Sequence, residues 1–289
     1  MMPDPGWGGS FSGTAQGLSD GEFHKLASFI EAELGIRMPD NKRVMLESRL
    51  LKRIRQLELP DFSSYIDFVF SEEGKSIELI NMIDAVTTNK TDFFREAEHF
   101  DFILERILPE IYSEGPAIRR RFWSAGCSTG EEPYTLAMVL EEFGARVPEF
   151  SWSIFASDLS TKVLDKAVEG VYSSEQAAPI PLSFKKKYLL RSKDPHNGLV
   201  RVRPELRAKV EFARINFMDR AWPVEGSFDV ILCRNVIIYF ERKTQEDIIA
   251  RLLQKIRPKG FLILGHSESV AGMDLPMRSI APTVYRKVG

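Results

Sequence analysis

The chain has 289 residues, 44% of them hydrophobic, with 39 Lys and Arg against 41 Asp and Glu for a formal charge of -2. That composition excludes a disordered polyelectrolyte and supplies no overall basic field to draw the molecule onto nucleic acid or a membrane, so any polyanion site must be regional. No apolar run reaches the ~18 residues of a membrane span, no secretory leader is apparent, and Cys127 and Cys233 share no metal-ligand spacing, so a cytoplasmic protein with reduced thiols and no membrane insertion is expected.

Residues 1–18, rich in Gly, Ser and Pro, read as a flexible lead-in. At Ser19 the pattern changes. SDGE is a capping box, with Ser19 at the N-cap and Glu22 three residues on, and Phe23, Leu26, Ile30 and Leu34 follow at helical spacing. A second helix in DNKRVMLESRLLKRIRQL (40–57) sets Leu46, Leu50, Ile54 and Leu57 on one stripe, while Lys42, Arg49, Lys52 and Arg53 share a neighbouring arc of about a third of the circumference. The stripe is assigned to the core and the arc to the outside, as a docking face for a glutamate-rich helix or simply a solvated one. Helical patterns in DFSSYIDFVF (61–70) and SIELINMIDAV (76–86) complete an all-helical region over 19–87.

From about Arg119 the rhythm becomes strand then helix. RFWSA, WSIFASD, VEFARIN, FDVILCRN and FLILG are short apolar runs, and PYTLAMVLEEF and TQEDIIARLLQKI are helical patterns lying between several of them. Such alternation predicts a doubly wound, mostly parallel α/β sheet covered on both faces. TVYRKV (283–288) is a candidate last strand. In KKYLLRSKDPHNGLVRVRPEL (186–206) a Pro/Asn/Gly turn precedes Val200 and Val202 alternating with Arg201 and Arg203, which predicts a hairpin inserted in the α/β domain.

In such a sheet, ligands bind beyond the carboxyl ends of the strands, where glycine lets the backbone approach them. Here the first strand leads into Gly126-x-x-x-Gly130, not the G-x-G-x-x-G dinucleotide fingerprint. WSIFASD ends in Asp158, suited to accept two ribose hydroxyls or to cap the next helix; Asn216 and Arg234-Asn235 sit at later strand ends. Several polar strand ends on one rim point to a nucleoside site. Glu131 and Glu132 would repel a pyrophosphate and favour a cationic ligand, which fits S-adenosylmethionine.

TTNKTDFFRE (87–96), SAGCSTGEEPY (124–134), ASDLS (156–160), FDVILCRNVIIYF (228–240) and LGHSES (264–269) together resemble, in order, the motifs of the bacterial chemoreceptor glutamate O-methyltransferase family, CheR. The resemblance covers residues 20–289. It implies a helical N-terminal domain (19–87) and a class I S-adenosylmethionine-dependent methyltransferase domain (88–289) with a small antiparallel β-subdomain inserted at about 188–208. It further implies transfer of a methyl group to glutamates of the cytoplasmic signalling domain of chemoreceptors, giving methyl esters and S-adenosylhomocysteine. By the same correspondence Asn89, Thr91 and Arg95 lie over the cofactor, in whose loop Gly126 sits. Glu132 takes the amino group, with adjacent Glu131 as the alternative, Asp158 takes the ribose, and Asn216-Phe217 and Asn235-Val236 flank the adenine and methionine parts. Arg95 and Tyr239 are placed near the sulfonium. Lys42, Arg49, Lys52 and Arg53, and Arg201 and Arg203 in the insert, are the candidates for receptor contact, the latter with a C-terminal receptor peptide.

The chemistry agrees with the residues available. A glutamate with a pKa of about 4.3 is already ionised at neutral pH, so neither His266 nor His196 is needed as a base. Arg95 can orient carboxylate oxygens and Tyr239 can donate a hydrogen bond. No metal-ligand cluster is visible in the spacing. RNVIIYF stands where adenine-modifying methyltransferases carry D/N-P-P-Y/F, which argues against an exocyclic amine of nucleic acid as substrate, and the missing fingerprint and the acidic Glu pair argue against an NAD-dependent oxidoreductase. A methyltransferase for another protein, or a cofactor-binding signalling module without activity, stays open.

Overall fold

The computed structural model describes residues 17–115, 118–147, 149–194 and 196–288. The lead-in expected over 1–18 lies outside them except for its last two residues. The chain divides into two compact units, one comprising Met38–Val86 and the described residues up to Ile30, the other Glu31–Arg37 and the described residues from Thr87 onward.

The first unit is helical. The capping box forms as expected: Glu22 N–H donates to Ser19 Oγ at 3.3 Å and Ser19 N–H to Glu22 Oε2 at 2.8 Å, and the helix Asp20–Leu34 follows. In the helix Arg43–Gln56, Leu46, Leu50 and Ile54 are buried, each worth about 1.5–3 kcal/mol, while Leu57 falls past the helix end and is half-buried. Phe62–Phe70 starts at an N-cap, Asp61, whose side chain accepts from Ser64 N–H. The last predicted helical pattern splits into Glu72–Ile77 and Leu79–Val86. Between them Glu78 is fully buried, held by Arg53, Tyr65 and Asn81.

The second unit holds ten strands among the described residues: β1 Arg120–Ala125, β2 Trp152–Asp158, β3 Val171–Ser173, β4 Leu189–Arg191, β5 Leu199–Val202, β6 Val210–Arg214, β7 Phe228–Cys233, β8 Ile256–Leu264, β9 Met277–Ala281 and β10 Val284–Lys287. Seven form one sheet in the order β6-β2-β1-β7-β8-β10-β9. The first five are parallel and the last two are antiparallel additions. Burial on both faces explains the unbroken apolar runs. Phe122, Val230, Leu232, Phe261 and Ile263 point into one core, and Trp123, Ile231, Cys233, Leu262 and Leu264 into the other. The helix Glu131–Gly144 packs in the first core and Arg242–Lys255 in the second.

The insert is larger than the expected hairpin. It is a three-stranded antiparallel sheet, β3-β5-β4, whose first strand precedes residue 188. β3 is only three residues long, too short for periodicity to reveal. Its Tyr172 is buried and donates from Oη to the Thr129 carbonyl at 2.7 Å, tying the insert to the glycine loop.

Candidate active site

Strand order reverses at β1, which has β2 on one side and β7 on the other, so a crevice is expected beyond their carboxyl ends. The loop 126–130 leaves β1 there, with φ of +91° at Gly126, +49° at Ser128 and +97° at Gly130. A Cβ on Gly126 would lie 2.3 Å from Val236 Cγ2, so the glycine admits the chain that follows β7. Gly126 and Cys127 N–H both donate to the Ser157 carbonyl, at 2.7 and 2.9 Å, and Ser128 N–H donates to Asp158 Oδ2 at 2.8 Å. Asp158 Oδ1 accepts from Ser160 N–H at 3.0 Å, but the next helix is capped by Ser160, whose side chain accepts from Val163 N–H. Asp158 is thus not the helix cap that its position allowed. It is a half-buried carboxylate clamping two loops at a strand end.

The adjacent glutamates diverge. Glu131 is buried and accepts from Thr129 Oγ1 at 2.6 Å. Glu132 faces the strand ends, taking Ser124 Oγ at 2.7 Å and Arg234 Nη1 at 3.1 Å. Burial pushes both carboxyls up, opposed at Glu132 by the charge of Arg234 and the Ser124 bond, and at Glu131 by the Thr129 bond.

Arg234 is the hub of the rim. It is 5% exposed, and its Nη2 reaches Glu96 Oε2 at 3.1 Å and the Arg95 carbonyl. Asn235, at φ +58°, donates from Nδ2 to Glu96 Oε1 at 3.2 Å. Burial would raise the Glu96 carboxyl, yet the Asn235 bond and the charge of Arg234 hold it below its ordinary value. Glu268, 4% exposed, accepts N–H bonds from Asn235 (2.9 Å), Val236 (2.8 Å), Ile237 (2.8 Å) and Gly265 (2.6 Å). One carboxylate therefore shapes the turn into the 3-10 helix Ile237–Tyr239.

The segment from Asn89 to Arg95 borders the same loop. The Asn89 carbonyl accepts from Ser128 Oγ at 2.8 Å, Asn89 Nδ2 donates to Thr87 Oγ1 at 3.1 Å, and Arg95 Nη1 donates to the Lys90 carbonyl at 2.9 Å. Hydrogen bonds and direct packing thus link Asn89, Arg95, Gly126, Glu132, Asp158, Asn235 and Val236 along one rim. Thr91 and Tyr239 are half-buried nearby in sequence. Asn216 follows β6, where Ile215 N–H donates to the Asp158 carbonyl at 3.0 Å, and both ends of its amide shape a turn: Nδ2 donates to the Glu33 carbonyl at 2.8 Å and Oδ1 accepts from Met218 N–H at 3.0 Å. Phe217 packs edge to face on Trp222.

The basic arc of the helical unit needs correction. Only Lys52 is exposed; Lys42, Arg49 and Arg53 are half-buried. Arg49 donates to the Val86 carbonyl, and Arg53 binds Glu78 with two nitrogens, at 2.8 and 2.6 Å, because a buried carboxylate requires a partner. In the insert Arg201 is exposed and donates to the Glu169 carbonyl at 3.0 Å, while Arg203 is half-buried.

In the sequence Arg234 stands out only as a polar strand end, and Glu96 and Glu268 carry no expected role. A charged residue directly after the apolar VILC run was the available signal for Arg234. Glu268 had none, because its partners are backbone groups of a distant loop. The rim is suited to a cation: Glu132, Asp158 and Glu96 lie along it, with Arg234 between two of them. S-adenosylmethionine, carrying a sulfonium and an ammonium, matches that sign.

Comparison with known proteins agrees with this picture. Residues 21–87 match the model of the CheR methyltransferase all-alpha domain, and residues 89–285 that of the CheR methyltransferase SAM binding domain. The chemotaxis protein methyltransferase of Salmonella typhimurium is 40% identical over 272 residues, 93% of this chain and 90% of the relative. That of Escherichia coli is 39% identical over 268 residues (93% and 91%), and that of Borreliella burgdorferi 37% over 277 residues (93% and 95%).

Proposed function

The chain belongs to the CheR methyltransferase family, and on that footing we propose that it methylates glutamate side chains of chemoreceptors, using S-adenosylmethionine as donor. When bound, that cofactor supplies an electrophilic methyl group and leaves as S-adenosylhomocysteine. Glu132 and Asp158 would hold it, the first by its ammonium and the second by its ribose, with Gly126, Asn89, Thr91, Asn216, Phe217, Asn235 and Val236 around it. Of the two glutamates, Glu132 is preferred because its oxygens face the ends of β1 and β7.

The chain's own residues need supply no general base, since the receptor carboxylate is ionised at neutral pH. Their work is alignment and removal of water, and alignment alone is worth up to roughly 7–11 kcal/mol in favourable cases. Arg95 and Tyr239 are assigned to orient the carboxylate. Arg234 holds Arg95 by its carbonyl and Glu132 by its carboxylate, so it couples cofactor and substrate sides of the site.

The receptor's cytoplasmic signalling domain is the proposed partner, and the cytoplasm the proposed compartment. Among the described residues no helix is long and apolar enough to cross a membrane. Lys52 is the arc residue best placed to meet an acidic receptor helix. A receptor C-terminal peptide, if captured by strand addition, would pair beside β4 or β3, because β5 is already paired on both sides. Arg201, exposed on β5, would then offer its charge from the sheet face.

The acidic rim joined by Arg234 carries this reading. Incubation with tritiated S-adenosylmethionine and receptor-containing membranes tests it: base-labile label on the receptor is expected. Base-stable label, or none, would sink it.

A further inference from the structure

Glu96, His99 and His266 each bring one ligand atom within 4.8 Å of the others, a cluster that sequence spacing did not reveal. Hydrogen bonds fix the imidazoles. Thr283 Oγ1 lies 2.7 Å from the Pro282 carbonyl and 2.8 Å from His99 Nε2; with its proton given to the carbonyl it accepts from Nε2–H, and we assign His99 that tautomer. In it the lone pair is on Nδ1. That atom is buried without a hydrogen-bond partner and looks at Glu96 Oε2 across 3.5 Å. An N–H···O bond would be about 2.7–3.2 Å, so the two acceptors face each other unbridged. Ligand atoms on a tetrahedral ion with bonds of about 2.1 Å stand about 3.4 Å apart, close to the gap present here.

His266 is turned in the same sense. Its Nε2 lies 3.1 Å from Glu98 Oε1, which places the proton there and the lone pair on Nδ1, and the two imidazole rings sit 4.9 Å apart. Histidines bound to metal through one nitrogen characteristically give the other N–H to an outer oxygen, as both do here. Arg234 opposes a cation, being 3.1 Å from Glu96 Oε2, but Glu132 at 3.1 Å from its other amine offsets that charge.

We propose that Glu96 Oε2 and the Nδ1 atoms of His99 and His266 bind a divalent transition-metal ion of the zinc type. The mixed nitrogen and oxygen donors suit it. The ion pins the turn that follows Arg95 to the loop 265–268, whose Glu268 holds Asn235. Methyl transfer has no need of a metal, so its part is to fix two segments of the site.

The test uses the full chain, stripped with a chelator. Calorimetry with Zn2+, and visible absorption with Co2+ as its stand-in, should show one ion per chain with a four-coordinate cobalt spectrum. His266→Ala, at a half-exposed position that does not threaten folding, and His99→Gln should each weaken binding by about tenfold or more. The double variant His24→Ala/His196→Ala should bind as the parent does. No binding, or binding that the double variant loses and His266→Ala retains, means an adventitious ion only and overturns the site.

Discussion

Glu268 receives four backbone N–H groups, from Asn235, Val236, Ile237 and Gly265, and through them anchors the turn that carries Asn235 toward Tyr239. Glu268→Gln keeps the size but turns one acceptor into an amine facing N–H groups, leaving buried donors unpaired at about 1–3 kcal/mol each. The variant should fold with a raised urea sensitivity and a turnover number that falls more than cofactor affinity; an unchanged turnover number in single-turnover methylation would mean the turn is held otherwise. Asp158 differs in kind, since its carboxylate bridges Ser128 and Ser160 N–H and is assigned to the ribose. Asp158→Ala should weaken cofactor binding by about 1.5–3 kcal/mol, roughly ten- to a hundredfold by calorimetry. Asp158→Asn, which retains one oxygen for Ser128, should lose less. Equal affinities across the series would remove Asp158 from the site. Arg95→Ala and Tyr239→Phe belong to the other half of the reaction: with saturating cofactor their rate should drop while the cofactor Kd holds.

Among elements, the helix Arg43–Gln56 separates fold from function. Arg53 serves the buried Glu78, so Arg53→Met should cost about 3 kcal/mol of stability, read by urea unfolding, because it leaves an uncompensated carboxylate. Lys52→Glu, on the exposed side of the same helix, should leave the unfolding midpoint alone and raise KM for the receptor, more so at low salt. A normal KM would return Lys52 to the solvated surface. That contrast also marks what the sequence could reveal. Long periodic segments such as the capped helix at Ser19, and apolar runs such as FDVILC, were legible because their own side chains encode burial. Arg53 was not, since its partner Glu78 comes from another helix and a charged residue on a helix arc reads as solvated by default. The same holds for β3 and β9, the first too brief for a pattern and the second mostly exposed. At the candidate site, Gly126, the Glu131-Glu132 pair and Asp158 stood out as strand-end chemistry, whereas Glu96, His99 and Glu268 acquire their environment only when distant loops meet.

For the molecule as a whole, the two thiols report on the cohesion of the α/β unit. Cys127, in the loop that leaves β1, belongs to one core and Cys233, at the end of β7, to the other, and both are fully buried. Burial pushes each thiol well above its ordinary range, with nearby carboxylates adding to the effect, so neither ionises at pH 8 while the fold is closed. Because β1 and β7 send alternate residues into both cores, one face cannot be stripped without exposing strands that the other needs. Alkylation should therefore require opening of the whole sheet, and the two cysteines should label at rates with the same urea dependence. A ligand that binds only the closed form lowers the open population by the factor 1 + [L]/Kd. S-adenosylmethionine at about a hundred times its Kd should then slow both thiols about a hundredfold, about 2.7 kcal/mol, and Asp158→Ala should blunt the effect equally at both. Pulsed iodoacetamide labelling with peptide mass spectrometry measures each cysteine separately. If the cofactor slowed Cys127 alone, the glycine loop would be opening locally and the two faces would not be one cooperative unit.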